Sequence, residues 1–153
     1  MVDLKQTVCS SLTARYETLA GVLRELANPL SDEQFWTKPF PFGNSFGHLV
    51  LHLTGNLNYY IGAQIAGTGY VRDRPVEFSD ASKAPKTVVM KNFDQALAMV
   101  VKMINSQSEE DWSKAYQGNG SDAKTRFEML LVCVSHLDHH IGQAKYLRFA
   151  VQQ

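Results

Sequence analysis

The sequence predicts an all-α fold, a four-helix bundle with long connections after its second and third helices. Apolar residues recur at steps of three and four over four long stretches, no stretch alternates convincingly as a strand, and no internal repeat divides the chain. A chain of 153 residues is expected to form one domain spanning 1–153, long enough to bury about two-thirds of its unfolded surface.

The first helix is read from Leu4, Val8, Leu12, Tyr16, Leu19, Leu23 and Leu26, and Asn28-Pro29 closes it. Ser31-Asp-Glu-Gln34 has the spacing of a capping box, which predicts a short helical turn carrying Phe35 and Trp36. Lys38 to Gly43 (KPFPFG) cannot continue a helix and reads as a loop. Asn44 or Ser45 then caps a second long helix running to about Ala66, where Gly67-Thr-Gly69 ends it.

A charged connection over about 67–85 follows. Near Lys86 helical periodicity resumes with Val89, Phe93, Leu97, Val100 and Ile104. The polar, glycine-containing stretch 106–123 reads as a second long connection, with a turn of helix around Glu109 to Trp112. Thr125-Arg-Phe-Glu128 repeats the capping-box spacing and opens a last helix reaching nearly to the C-terminus.

Composition excludes several classes of function. Lys+Arg and Asp+Glu are both 15, so no basic excess is available to neutralise phosphates, and nucleic acid is not an expected partner. The start, MVDLKQTVCSSLTARYE, lacks the apolar centre of a signal peptide, and no run of 18 apolar residues exists. A membrane is therefore not expected either, and the cytoplasm is the expected location. Cys9 and Cys133 are too few and too far apart for a disulfide framework or a cysteine-based zinc site, and are expected to be reduced and semi-buried. A chain of zero net charge does little to resist self-association, so a homodimer is expected.

The chemistry is concentrated in histidine. All five histidines fall in two helical stretches: His48 and His52 in SFGHLVLHLTGN, and His136, His139 and His140 in CVSHLDHHIGQ. Each stretch holds a pair at i and i+4, which places two imidazoles on one helical face with Cβ atoms about 5–6 Å apart. Two imidazoles so placed can reach one metal ion, and a facing helix can supply a third. On the last helix, His136 and His140 lie on a stripe with Met129, Cys133, Gln143 and Leu147, which is expected to face the interior or a cleft. On spacing alone, a cluster of histidines that merely pack stands beside the metal site as the alternative.

Taken whole, the sequence resembles the DinB-like family of small metal-binding four-helix bundles. The resemblance spans essentially the full chain. It is carried by the four-helix layout, by Ser45-Phe-Gly-His-Leu-Val-Leu-His52-Leu in the second helix, and by His136-Leu-Asp-His-His140-Ile-Gly-Gln143 in the last. It implies that His52, His136 and His140 hold a divalent metal, nickel or zinc foremost and iron as a further candidate. His48 then falls to pocket lining. His139, roughly 60° round the helix from His136, falls to an orienting or surface role.

Three protein ligands leave coordination positions open, the pattern of a working metal. The resemblance implies a transferase or hydrolase acting on a small molecule, with a low-molecular-weight thiol as a candidate cosubstrate. Asn56, Tyr59, Tyr60 and Gln143 are the candidate groups for orienting ligands or substrate. Arg72-Asp-Arg-Pro-Val-Glu77 reads foremost as a solvated loop holding its own ion pairs. Its functional alternative is that Arg72 or Arg74 holds a substrate carboxylate. Asp138 reads as a solvated face residue, and Phe40, Phe42, Trp36 and Trp112 as core or helix-end packing. No carboxylate stands out as a general base. That gap keeps two alternatives open, a metal- or ligand-binding stress or regulatory protein without turnover, and a structural helical dimer with packed histidines.

Overall fold

A computed structural model describes residues 3–79 and 83–153; residues 80–82, within the expected 67–85 connection, and residues 1 and 2 lie outside it. Among the described residues six α-helices form: α1 (Leu4–Ala27), α2 (Asp32–Trp36), α3 (Phe46–Leu57), α4 (Lys86–Ser106), α5 (Glu109–Ser113) and α6 (Arg126–Val151). The four long ones are the predicted bundle. Among the described residues no strand forms, and one antiparallel bridge joins Ala115 to Thr125. No helix is long and apolar enough to cross a membrane among the described residues.

The ends of the elements follow their sequence signals. Asp3 caps α1 by accepting from the backbone N–H groups of Lys5 and Gln6. Ser31 and Gln34 complete the reciprocal capping box of α2, and the Ser45 side chain caps α3 by accepting from His48 N–H. At α6 the box is offset by one residue. Thr125 accepts from Glu128 N–H at 3.1 Å, but the Glu128 carboxylate accepts from Lys124 N–H at 2.6 Å rather than from Thr125.

The second predicted helix is two pieces. After Leu57 it widens into a π-helical turn, Asn58–Ala63, whose i→i+5 bonds include Gln64 N–H to Tyr59 C=O at 3.2 Å and Ala66 N–H to Ile61 C=O at 2.9 Å. Gly67 and Gly69, both with positive φ, then end it. In the next connection a single 3₁₀ turn, Arg74–Phe78, packs back on α3.

Helix α1 packs against α4 and α6, and α3 packs against the same two, so α1 and α3 stand at opposite corners of the bundle. Every apolar residue predicted for the α4 stripe is buried, as are Tyr16, Leu19, Leu23 and Leu26 of α1. Each such side chain contributes about 1.5–3 kcal/mol when fully buried, and the Tyr16 hydroxyl also donates to Leu130 C=O at 2.7 Å, tying α1 to α6. The Lys86 ammonium at the start of α4 donates to the carbonyls of Ala27, Asn28 and Leu30 at the negative end of α1.

Two packing expectations are corrected. Trp36 and Trp112 pack as predicted, but Phe42 is 76% exposed and Phe40 is exposed beside it, the two rings stacked 5.8 Å apart. They line an open surface cavity together with Leu49, Tyr146 and Leu147 rather than entering the core. The Arg72–Glu77 segment is solvated only in part: residues 73–76 are exposed, but the ion pair it holds is buried, with the Arg72 and Glu77 side chains only 9% and 7% exposed. It crosses α3 where Gly55 offers no side chain, and a Cβ there would overlap the Glu77 carboxylate.

Candidate metal centre

Because α3 and α6 are neighbours, the middle of each faces the other across the bundle edge. His52 enters from α3, with His136 and His140 coming from successive turns of α6. His136 Nε2 lies 3.2 Å from His52 Nε2 and 3.1 Å from His140 Nε2, and the three nitrogens fall within 4.8 Å of one another. Nitrogens bound at roughly 2.0–2.1 Å to one ion stand about 3.0–3.4 Å apart, so the arrangement has the dimensions of a three-histidine site.

The partners of the other ring nitrogens fit the same reading. His52 Nδ1 lies 2.8 Å from Glu77 Oε2 and 3.2 Å from Arg72 Nη2. A carboxylate only accepts, so the shorter contact requires N–H at Nδ1, and in the neutral ring Nε2 then carries the lone pair. The longer contact follows from the grip of Arg72 on the same carboxylate. His140 Nδ1 donates to Gln143 Oε1 at 2.6 Å, and the Gln143 amide N–H faces His139 Nε2 at 3.3 Å. Hence two lone pairs point from His52 and His140 at His136 Nε2, which can donate to only one of them.

Burial, reinforced by the His140 and His52 rings, pushes His136 down to about 3, so it resists becoming a cation itself. Burial also lowers His140, against the opposing bond to Gln143. Neutral imidazoles crowded around one point are a donor set for a divalent metal ion.

The remaining candidates separate clearly. A cavity of about 510 Å3 adjoins the cluster and is lined by His52, Asn56, Tyr60, Arg72, Arg74 and His136, with Met129, Val132 and Cys133 as its apolar wall. Asn56 is buried there with its Oδ1 unpartnered. The Tyr60 hydroxyl donates to Gly120 C=O at 2.9 Å, drawing the 116–124 loop over the π-helical turn as a rim. Arg74 is exposed at the mouth, its guanidinium 5.8 Å from the Phe78 ring centre.

Tyr59 packs edge-on against Tyr60 and does not line the cavity. His48 is buried elsewhere. Its Nδ1 accepts from the Ser45 hydroxyl at 2.7 Å, its Nε2 lies 3.4 Å from Ser79 C=O, and its ring meets Trp36 edge-on. Asp138 pairs with Arg15 on the exposed surface at 3.1 Å. Cys9 and Cys133 are free and buried, and burial pushes the Cys133 thiol up to about 12.

Glu77 is the residue sequence reasoning missed. It is 6% exposed. Burial alone would raise its carboxyl, but hydrogen bonds from His52 and Arg72 outweigh that and hold it below its ordinary value. Its sequence distance from His52 hid the pairing, and the only signal was Gly55, one turn beyond His52, where helix packing offers room for another group.

Comparison with known proteins agrees with this architecture. The profile of the DinB superfamily matches residues 15–144. The fold also matches the crystal structure of a conserved protein from Enterococcus faecalis, with a TM-score of 0.77 and 20% identity over 94% of this chain and 96% of that one. No curated protein sequence is significantly similar to the chain. With the matched span taking in both histidine stretches and most of the bundle, the chain belongs to the DinB superfamily.

Proposed function

We propose that the protein binds one divalent transition-metal ion through His52, His136 and His140 and acts on a small molecule in the adjoining cavity, as a transferase or hydrolase. The observation that carries this reading is the convergence of three Nε2 atoms, those of His52 and His140 each 3.1–3.2 Å from that of His136, beside an open cavity. Imidazole ligands suit nickel and zinc, with iron as the third candidate. Such an ion would supply Lewis acidity, polarising a carbonyl or acidifying a water or thiol in an open position.

The protein's own residues would do the rest. Met129, Val132 and Cys133 would exclude water along one wall, while Asn56, Tyr60 and Ser121 offer polar contacts. Arg72 is already committed to Glu77, so Arg74 is the guanidinium available to an anionic group of the ligand. A low-molecular-weight thiol carrying a carboxylate fits that wall and that rim. Buried, unpaired cysteines fit a reducing compartment such as the cytoplasm. The exposed apolar residues Leu131, Tyr146 and Phe149 of α6 support a homodimer.

A second reading has its own observation. No carboxylate lines the cavity among the described residues, which favours a protein that binds metal or ligand without turnover. Elemental analysis of untagged protein tests the shared premise. About one nickel, zinc or iron per chain is expected, lost in a His136→Ala/His140→Ala variant; no metal in either, and none taken up on addition, would refute it. Titrating metal-loaded protein with small thiols then separates the two readings, since a silent metal spectrum across several thiols favours binding without turnover.

A further inference from the structure

We infer that Glu77, locked in place by Arg72, is the positioning residue that holds His52 as its Nδ1–H tautomer and aims the Nε2 lone pair at His136 and His140. The inference rests on the three-histidine reading for its purpose, but its geometry stands without a metal. Arg72 grips the carboxylate with both oxygens engaged, Nε to Oε1 at 2.6 Å and Nη2 to Oε2 at 2.9 Å, and Oε2 then accepts from His52 Nδ1 at 2.8 Å. The planar fork fixes the rotation of the carboxylate as well as its position.

The fold gives up space to admit it. Gly55 stands one turn beyond His52 on α3, and any Cβ there would collide with Glu77 Oε1 and crowd Arg72 Nε, 3.4 Å away. Phe78, the residue after Glu77, presses on the His52 ring with centroids 5.1 Å apart and limits its rotation. The three histidines are unequally supported. His140 has the amide of Gln143, His136 Nδ1 has no partner, and His52 alone has a charged one.

The same geometry denies Glu77 a role as general base. Both its oxygens are occupied, and it lines not the cavity beside the histidines but a second one of about 490 Å3 on the other side of the Arg72–Glu77 segment, in which no histidine stands. It acts through His52 rather than on a substrate. A metal ligand whose second nitrogen loses its acceptor typically costs a site 10–100-fold in affinity.

The test uses full-length protein labelled with 15N and freed of metal, with the ring tautomer of His52 read by long-range 1H–15N correlation. The expected result is an Nδ1–H signature in wild type that converts substantially to Nε2–H in Glu77→Ala, with partial retention in Glu77→Gln, whose amide oxygen can still accept. Should unpaired Arg72 prevent Glu77→Ala from folding, Arg72→Met/Glu77→Ala removes both charges together and is read the same way.

Zinc affinity, measured by competition with a chromophoric chelator, is expected to fall about 10–100-fold in the same variants. An Nε2–H signature in wild type, or an unchanged His52 tautomer in the alanine variants, would overturn the inference. If wild type takes up no zinc while the tautomer still follows Glu77, the positioning role stands and only the metal reading falls.

Discussion

His48 and His52 stand one turn apart on α3, both buried, and use their ring nitrogens in opposite ways. The Ser79 carbonyl beside His48 Nε2 calls for N–H there, and the Ser45 hydroxyl donates to Nδ1, so both nitrogens are satisfied within the local packing. His52 puts its N–H on Nδ1 toward Glu77 and leaves Nε2 facing two further histidines. The sequence context of the two residues is nearly the same. What separates them is the neighbours each meets: Trp36 of α2 and the Ser79 carbonyl among those of His48, α6 and the Arg72–Glu77 pair for His52. Identity and burial therefore do not make a histidine a ligand; the orientation of its lone pair does.

The sharpest way to break that comparison is to remove each ring in turn. His52→Ala is expected to weaken zinc or nickel binding by more than about 100-fold, beyond the 10–100-fold typical of losing an orienting partner. His48→Gln is expected to leave metal binding unchanged while lowering the melting temperature, because it disturbs buried hydrogen bonds worth about 1–3 kcal/mol if left unmade. Equal losses of metal in the two variants would erase the distinction.

Gly55→Ala attacks the support of His52 without touching a histidine. It should displace Glu77 and cost about tenfold in metal affinity, measured by chelator competition. The same change at Gly21, where an added Cβ would meet nothing within 4 Å, should cost nothing in affinity. Gln143→Ala removes the partner of His140, but from an exposed position, and is expected to cost less than Gly55→Ala.

Acid tests the cluster without metal. His136 in the folded protein is held near 3, well below its ordinary 6.5, so between these values the unfolded chain binds the extra proton. Stability is then full above about 6.5 and is lost progressively as pH falls toward 3. Thermal melts of metal-stripped protein should show that decline, and His136→Phe should flatten it. The smallest expected effect is at the surface: Asp138→Asn breaks an exposed pair with Arg15, and melts should place the change within about 0.5 kcal/mol.

Much of the fold was legible because it is written in local signals. Apolar steps of three and four mark the four long helices, serine or threonine caps open α2, α3, α5 and α6, and glycine and proline punctuate the connections. The π-helical widening after Leu57 was not legible, since Asn58–Ala63 keeps the same apolar spacing and only the hydrogen-bond ladder changes. At the candidate centre, the i,i+4 spacing and the family resemblance singled out the three rings that converge. His48 shares that spacing, so periodicity alone could not send it to Ser45 and Trp36. Glu77 was missed because a carboxylate in a charged loop looks solvated until the helix it lands on is known. The Arg72–Glu77 pair was visible in the sequence, but its burial against Gly55 depends on a contact 22 residues away along the chain.

X-ray absorption on zinc- or nickel-loaded protein tests the central claim most directly. The account predicts three imidazole nitrogens at about 2.0–2.1 Å in wild type, an unchanged shell in His48→Gln, and a lost or depleted shell in His52→Ala. An imidazole shell that survives His52→Ala, or a wild type that takes up no metal, would contradict it.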